Sequence, residues 1–141
     1  MKKLGLIHIY TGDGKGKTTA AVGLATRALG SGFKVCYCSF HKDPAKYGYA
    51  EMESLGATVL NFAIGHPHLD KSIDEEQIKK EVPEAIQTLR NKLAEESFDL
   101  LIMDEILISV RDRYLEESIL LDFIKDKPQD TELVLTGRAA T

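Results

Sequence analysis

A chain of 141 residues with 43% hydrophobic and 28% charged side chains has the balance of one globular domain with room for a core. Its formal charge of −4 argues against a nucleic-acid binder, because phosphate backbones reward a surplus of Lys and Arg. No apolar run approaches the roughly 20 residues that span a bilayer, and Met1-Lys-Lys-Leu-Gly5 lacks the apolar length of a signal peptide, so the expected location is the cytoplasm.

In chain order, the apolar run at residues 4–10 reads as a buried parallel strand, with His8 expected as a hydrogen-bonded core histidine. It feeds Ile9-Tyr-Thr-Gly-Asp-Gly-Lys-Gly-Lys-Thr-Thr19. A phosphate-binding loop reads G-x-x-x-x-G-K-[ST] between a strand and a helix. Gly16, Lys17 and Thr18 supply the end of that pattern, whereas Thr11 stands where the first glycine belongs and Gly12, Asp13, Gly14 and Lys15 fill the turn. Glycines let backbone N–H groups curl around phosphate oxygens, and the helix N-terminus adds partial positive charge. Lys17 is expected to pair with phosphate and the Thr18 hydroxyl to reach Mg²⁺. A nucleoside triphosphate is the implied ligand.

The helix after the loop carries Ala21, Leu24, Ala25, Ala28 and Leu29 on one face and stops at Gly30-Ser-Gly32. A second strand is expected at residues 34–40, a short helix at 49–55 and a third strand at 57–62, then a long loop around His66-Pro67-His68. Cys36 and Cys38 are placed awkwardly for a disulfide, and a strand puts both thiols beside Phe40 on one face, a core pattern rather than a zinc site. The next helix opens at Asp74 as N-cap, with Gln77 three residues on and Ile73 and Ile78 spaced for a hydrophobic staple. Ile78, Val82, Ile86, Leu89 and Leu93 keep one apolar face to about Ser97, and Pro83 predicts a kink or fresh start.

A fourth strand at residues 99–103 ends in Asp104-Glu105, a helix follows at 115–124, and a last strand at 131–136 leads into Gly137-Arg138. This alternation predicts an open, mainly parallel α/β sheet with helices on both faces, the three-layer P-loop (RecA-like) fold in one domain. Ligands of such sheets sit at the carboxyl ends of the strands. The loop, Asp104-Glu105 and Gly137-Arg138 should therefore line one site. An acidic residue delivered there by an apolar strand suits Mg²⁺, held directly or through water, and Glu105 can serve as metal ligand or as base. The plain alternative is a solvated acidic pair at a strand end.

The stretch from Tyr10 to Ala21, with threonine in the first-glycine position, resembles the loop of the ATP:corrinoid adenosyltransferases. Ser39-Phe40-His-Lys42 with Tyr47-Gly48, Ile102-Met-Asp-Glu-Ile106 and Thr131-Glu-Leu-Val-Leu-Thr-Gly-Arg138 resemble three further stretches of that family. The resemblance implies transfer of the adenosyl group of ATP to the cobalt of a corrinoid, with the whole triphosphate leaving. It implies ATP and Mg²⁺ as cofactors, a corrinoid as acceptor, and a homodimer. It assigns Thr11, Gly12, Asp13, Gly14, Lys15, Gly16, Lys17, Thr18, Thr19, Arg27 and Arg138 to the nucleotide, and Thr18, Asp104 and Glu105 to the metal, with Lys17, Thr18 and Glu105 central to catalysis.

Where the family carries aromatic residues after the third strand, this chain reads Gly65-His-Pro-His-Leu-Asp70. His66 and His68 are thus candidates for corrinoid contact or for plain solvent exposure. Family members also continue past the Gly-Arg stretch, so completion of the pocket by a neighbouring subunit is one expectation. A P-loop ATPase or kinase using Glu105 to orient water, and a non-catalytic ATP-binding module, are the competing classes.

Overall fold

The computed structural model describes residues 7–11, 16–41, 49–62 and 74–137. Strands β1 (Ile7–Tyr10), β2 (Val35–Phe40), β3 (Thr58–Phe62), β4 (Leu100–Asp104) and β5 (Glu132–Thr136) form one parallel sheet in the order β1-β5-β4-β2-β3. Strands β2 and β4 are buried along their whole length, as continuous apolar runs in the middle of a covered parallel sheet must be. Their side chains alternate between two cores. Cys36, Cys38, Phe40, Leu101 and Met103 face one, and Val35, Tyr37, Leu100 and Ile102 face the other.

Helices α1 (Gly16–Gly30) and α2 (Tyr49–Ser54) cover the Tyr37 face. Ala21 and Ala25 are fully buried there, small enough to let α1 lie close over β4, with β2 and β5 on either side. The opposite face is covered by α3 (Glu75–Glu95), α4 (Ile106–Arg111) and α5 (Glu117–Asp126). In α3 the side chains of Ile78, Val82, Ala85, Ile86 and Leu89 are buried at helical spacing. Each large apolar side chain so buried stabilises the fold by roughly 1.5–3 kcal/mol. The Asp74 side chain caps α3 by accepting from the Glu76 N–H at 3.0 Å, as the sequence predicts. Ile73 of the expected staple lies outside the described residues. Pro83 starts no new helix: α3 runs as one element through it, with Val82 and Ala85 buried on either side. Packing of that apolar face outweighs the backbone hydrogen bond that proline cannot donate.

Three expectations are corrected. The first strand is not fully buried: β1 is outermost among the described strands, with β5 as its neighbour, and Ile7 is 44% and Ile9 53% exposed. His8 therefore has its expected partner but not its expected burial: Nε2 lies 2.8 Å from Glu132 Oε1 at a half-exposed site. Finally, the helix expected at 115–124 lies at Glu117–Asp126, and a further helix, α4, which the sequence reading does not assign, follows Glu105.

Candidate active site

All five strands are parallel, so their carboxyl ends share one edge of the sheet, and α1 begins at that edge. The chain leaves β2 towards α2 on one face and leaves β4 towards α4 on the other. Neighbouring strands whose connections diverge in this way open a crevice between their carboxyl ends, where open α/β sheets take their ligands. Tyr10, Thr136, Asp104, Ser39 and Asn61 stand side by side across that edge, one from each strand.

Asp104 is the centre of this row. It is fully buried, accepts from Thr136 Oγ1 at 2.6 Å on Oδ1, and accepts from the Tyr37 hydroxyl at 2.9 Å on Oδ2. Two hydroxyl donors thus hold the carboxylate plane, and a buried carboxylate needs such donors to be tolerated. Ser39 Oγ donates to Asn61 Oδ1 at 2.8 Å beside it. Thr136 has a second task. Its Oγ1 accepts from the Glu105 backbone N–H at 2.8 Å, steadying a residue held in left-handed geometry at φ 70°.

Asp104 and Glu105, 0% and 8% exposed, are joined by no group of three or more His, Cys, Asp or Glu suited to a metal among the described residues. That donor set fits Mg²⁺ in its nucleotide-bound mode, one or two carboxylates with phosphate oxygens and water completing the shell, rather than an all-protein cage. Cys36 and Cys38 sit back in the core with their sulfurs 3.7 Å apart, as reduced thiols. Burial first, and the neighbouring Cys36 second, push the Cys38 thiol well above its ordinary range, so it stays protonated.

The sequence-predicted residues divide clearly. Thr11, Thr19, the first turn of α1 with Gly16, Lys17 and Thr18, and Asp104 and Glu105 come together at the carboxyl edge. Arg27 does not join them: it is exposed in the last turn of α1, about 16 Å along the helix from Gly16 at 1.5 Å per residue. Gly12, Asp13, Gly14, Lys15, Arg138, His66 and His68 lie outside the described residues, as do the side chains of Lys17 and Thr18.

Sequence reasoning missed a second cluster at the same edge. His41, directly after β2, is 8% exposed with φ 64°, and a 2.6 Å hydrogen bond joins its Nε2 to Ser109 Oγ of α4. Its ring lies 5.7 Å from the Tyr114 ring, and its backbone N–H donates to Phe62 O at the end of β3. Gly137 also has a geometric reason: a Cβ there would come within 2.3 Å of Leu107 Cβ, so only glycine lets α4 lie this close to the end of β5.

Comparison with known proteins places this geometry. The family model described as ATP:corrinoid adenosyltransferase BtuR/CobO/CobP matches residues 3–141. The corrinoid adenosyltransferase of Escherichia coli K12 is 33% identical over 135 residues, covering 95% of this chain and 68% of that protein. That of Pseudomonas aeruginosa is 30% identical over 137 residues, covering 96% and 68%, and the corrinoid adenosyltransferase CobA of Salmonella typhimurium is 30% identical over 135, covering 95% and 68%. A parallel three-layer sheet, a phosphate-loop helix over its centre and a buried acidic strand end, matched over nearly the whole chain, lead to one conclusion: the chain belongs to the ATP:corrinoid adenosyltransferase family.

Proposed function

We propose that this chain transfers the 5′-deoxyadenosyl group of ATP to the Co(I) centre of a corrinoid substrate through the crevice at the carboxyl edge. The new bond joins cobalt to the 5′ carbon as the bond from that carbon to the triphosphate oxygen breaks, and triphosphate leaves with the electron pair. The nucleophile belongs to the substrate, so the protein needs no nucleophilic side chain. Its work is to orient ATP, exclude water and neutralise a departing polyanion.

The observation that carries this reading is Asp104, buried and aimed by Tyr37 and Thr136 at the edge where α1 begins. In this reading the N–H groups of residues 12–16, Lys15 and Lys17 cradle the triphosphate. Thr18, Asp104 and Glu105 hold Mg²⁺, which supplies positive charge against the leaving group. Arg138, directly after Gly137, is assigned to the nucleotide by its place in the chain and by family resemblance. Arg27 rests on resemblance alone. A homodimer follows the same resemblance and a cytoplasmic location the composition of the sequence; no described helix is long and apolar enough to cross a membrane.

An anaerobic reaction with ATP, Mg²⁺ and a reduced corrinoid tests the proposal by visible spectrum and phosphate analysis. Alkylated corrinoid with intact triphosphate supports it; ADP with orthophosphate indicates an ATPase; ATP binding with neither product indicates a binding module. Lys17→Ala should lower the transfer rate by about 10²- to 10³-fold, the usual loss on removing one preorganised charge stabiliser.

A further inference from the structure

All three non-glycine residues with left-handed backbone among those described surround α4: His41 against it, Glu105 before it and Arg113 after it. Such conformations are strained and persist where surrounding contacts over-determine them. A helix of six residues has little stability of its own, so the position of α4 is set by what grips it. On the β5 side the grips are Thr136 on the Glu105 N–H and the close seat of Leu107 on Gly137. On the β2 side the grip is His41 on Ser109.

We propose that His41 is a positioning residue for Glu105, acting through the Nε2–Ser109 hydrogen bond that fixes the rotation of α4. By strict alternation along β2, His41 would fall on the face of Tyr37 and Ser39. Its left-handed turn instead delivers the ring to the α4 face, where Ser109 is 0% exposed and Tyr114 2% exposed. Glu105 opens α4, so any rotation of the helix about its axis swings the Glu105 side chain. The two strands that bound the crevice are thereby cross-braced, β2 through His41 and β4 through the start of α4.

The inference rests on Glu105 serving the Mg²⁺–ATP complex, but its test needs no corrinoid chemistry. The readout is the Mg²⁺ concentration that half-saturates ATP binding, followed by calorimetry, with thermal unfolding alongside. Ser109→Ala and His41→Asn should each raise that concentration by about tenfold, the lower end of the loss seen when an outer-shell partner of a metal ligand is removed. His41→Gln should restore it, because the Gln amide nitrogen falls where imidazole carries Nε2, whereas Asn reaches only the place of Nδ1. A purely structural role predicts the opposite order, since Asn tolerates the left-handed backbone and Gln does not. In a Glu105→Gln background the Ser109→Ala effect should vanish. An unchanged Mg²⁺ midpoint in Ser109→Ala, a better midpoint for His41→Asn than for His41→Gln, or an effect that persists without Glu105 would each overturn the proposal. Should His41→Asn prove unstable, Ser109→Ala decides alone. Absence of adenosyl transfer by the wild-type protein leaves these readings intact while sinking the functional proposal.

Discussion

The two edges of the sheet solve the same problem, how to end five strands, by opposite means. At the amino edge the polar groups stay in water. Lys34 and Lys92 flank Glu96 at 2.6 and 3.1 Å, Arg90 meets Asp126 at 3.0 Å, and Lys34 and Arg90 lie over Phe98 and Phe123. At the carboxyl edge they are taken out of water. Ser39, His41, Asp104, Glu105, Ser109 and Thr136 are all buried, and of the buried polar residues only Thr131, bonded to Phe98 O, belongs to the other edge among those described. Exposed pairs contribute little and yield to salt. Buried, hydrogen-bonded groups are costly to disturb because each partner left behind has no water to turn to. One edge tolerates change, and the other is committed to a geometry.

The comparison breaks if substitutions at the two edges cost the same. The largest effect is expected for Gly137→Ala, whose methyl would press on both Cβ and backbone Cα of Leu107, at 2.3 and 3.0 Å. Denaturant unfolding should show a loss of about 1–3 kcal/mol, the usual range for overpacking, and transfer should fall as α4 shifts. Tyr37→Phe comes next. It leaves the fully buried Asp104 with one hydroxyl donor fewer, for a loss of about 1–2 kcal/mol in the same assay. The smallest effect belongs to Glu96→Gln, which near neutral pH should lower the unfolding midpoint only slightly, because the pairs it breaks are solvent-screened.

That last variant also carries a pH signature. Hydrogen bonds from Lys34, then Lys92, hold the Glu96 carboxyl below its ordinary range. A group lowered in the native state gives stability that is present above its unfolded pKa and lost as pH falls through the native value. Wild type and Glu96→Gln should therefore converge on acidification and part as pH rises past the ordinary carboxylate range. A thermal melt series across that window measures it, and divergence on the acid side instead would refute the assignment.

What could be read from residues alone was whatever rests on local pattern. The cap at Asp74, the apolar face of α3 and the runs of β2 and β4 are local, and they stand where the sequence places them. The rest depends on distant partners. Ile7-His-Ile-Tyr10 reads as buried because its apolar residues would suit a central strand, yet sequence order does not reveal that β1 comes outermost among the described strands. The helix at Ile106–Arg111 is given no element by the sequence reading, and the left-handed Glu105 that opens it carries no glycine or asparagine to announce it. The acidic pair was legible as a strand end because an apolar run leads straight into it. His41 and Ser109 were not: they are 68 positions apart, and only the fold brings them within 2.6 Å.

The strand order has a consequence for how the protein is made. β1 carries the chain into the phosphate loop, yet its described neighbour in the sheet is β5, the last of the described strands. Among the described strands its partner, residues 132–136, is made only after the whole intervening chain, and closing so long a loop is slow. The earliest part of the site to leave the ribosome is paired only with the latest of the described strands. A nascent chain cut off before β5 holds the loop's residues but lacks the scaffold that makes them a binding site.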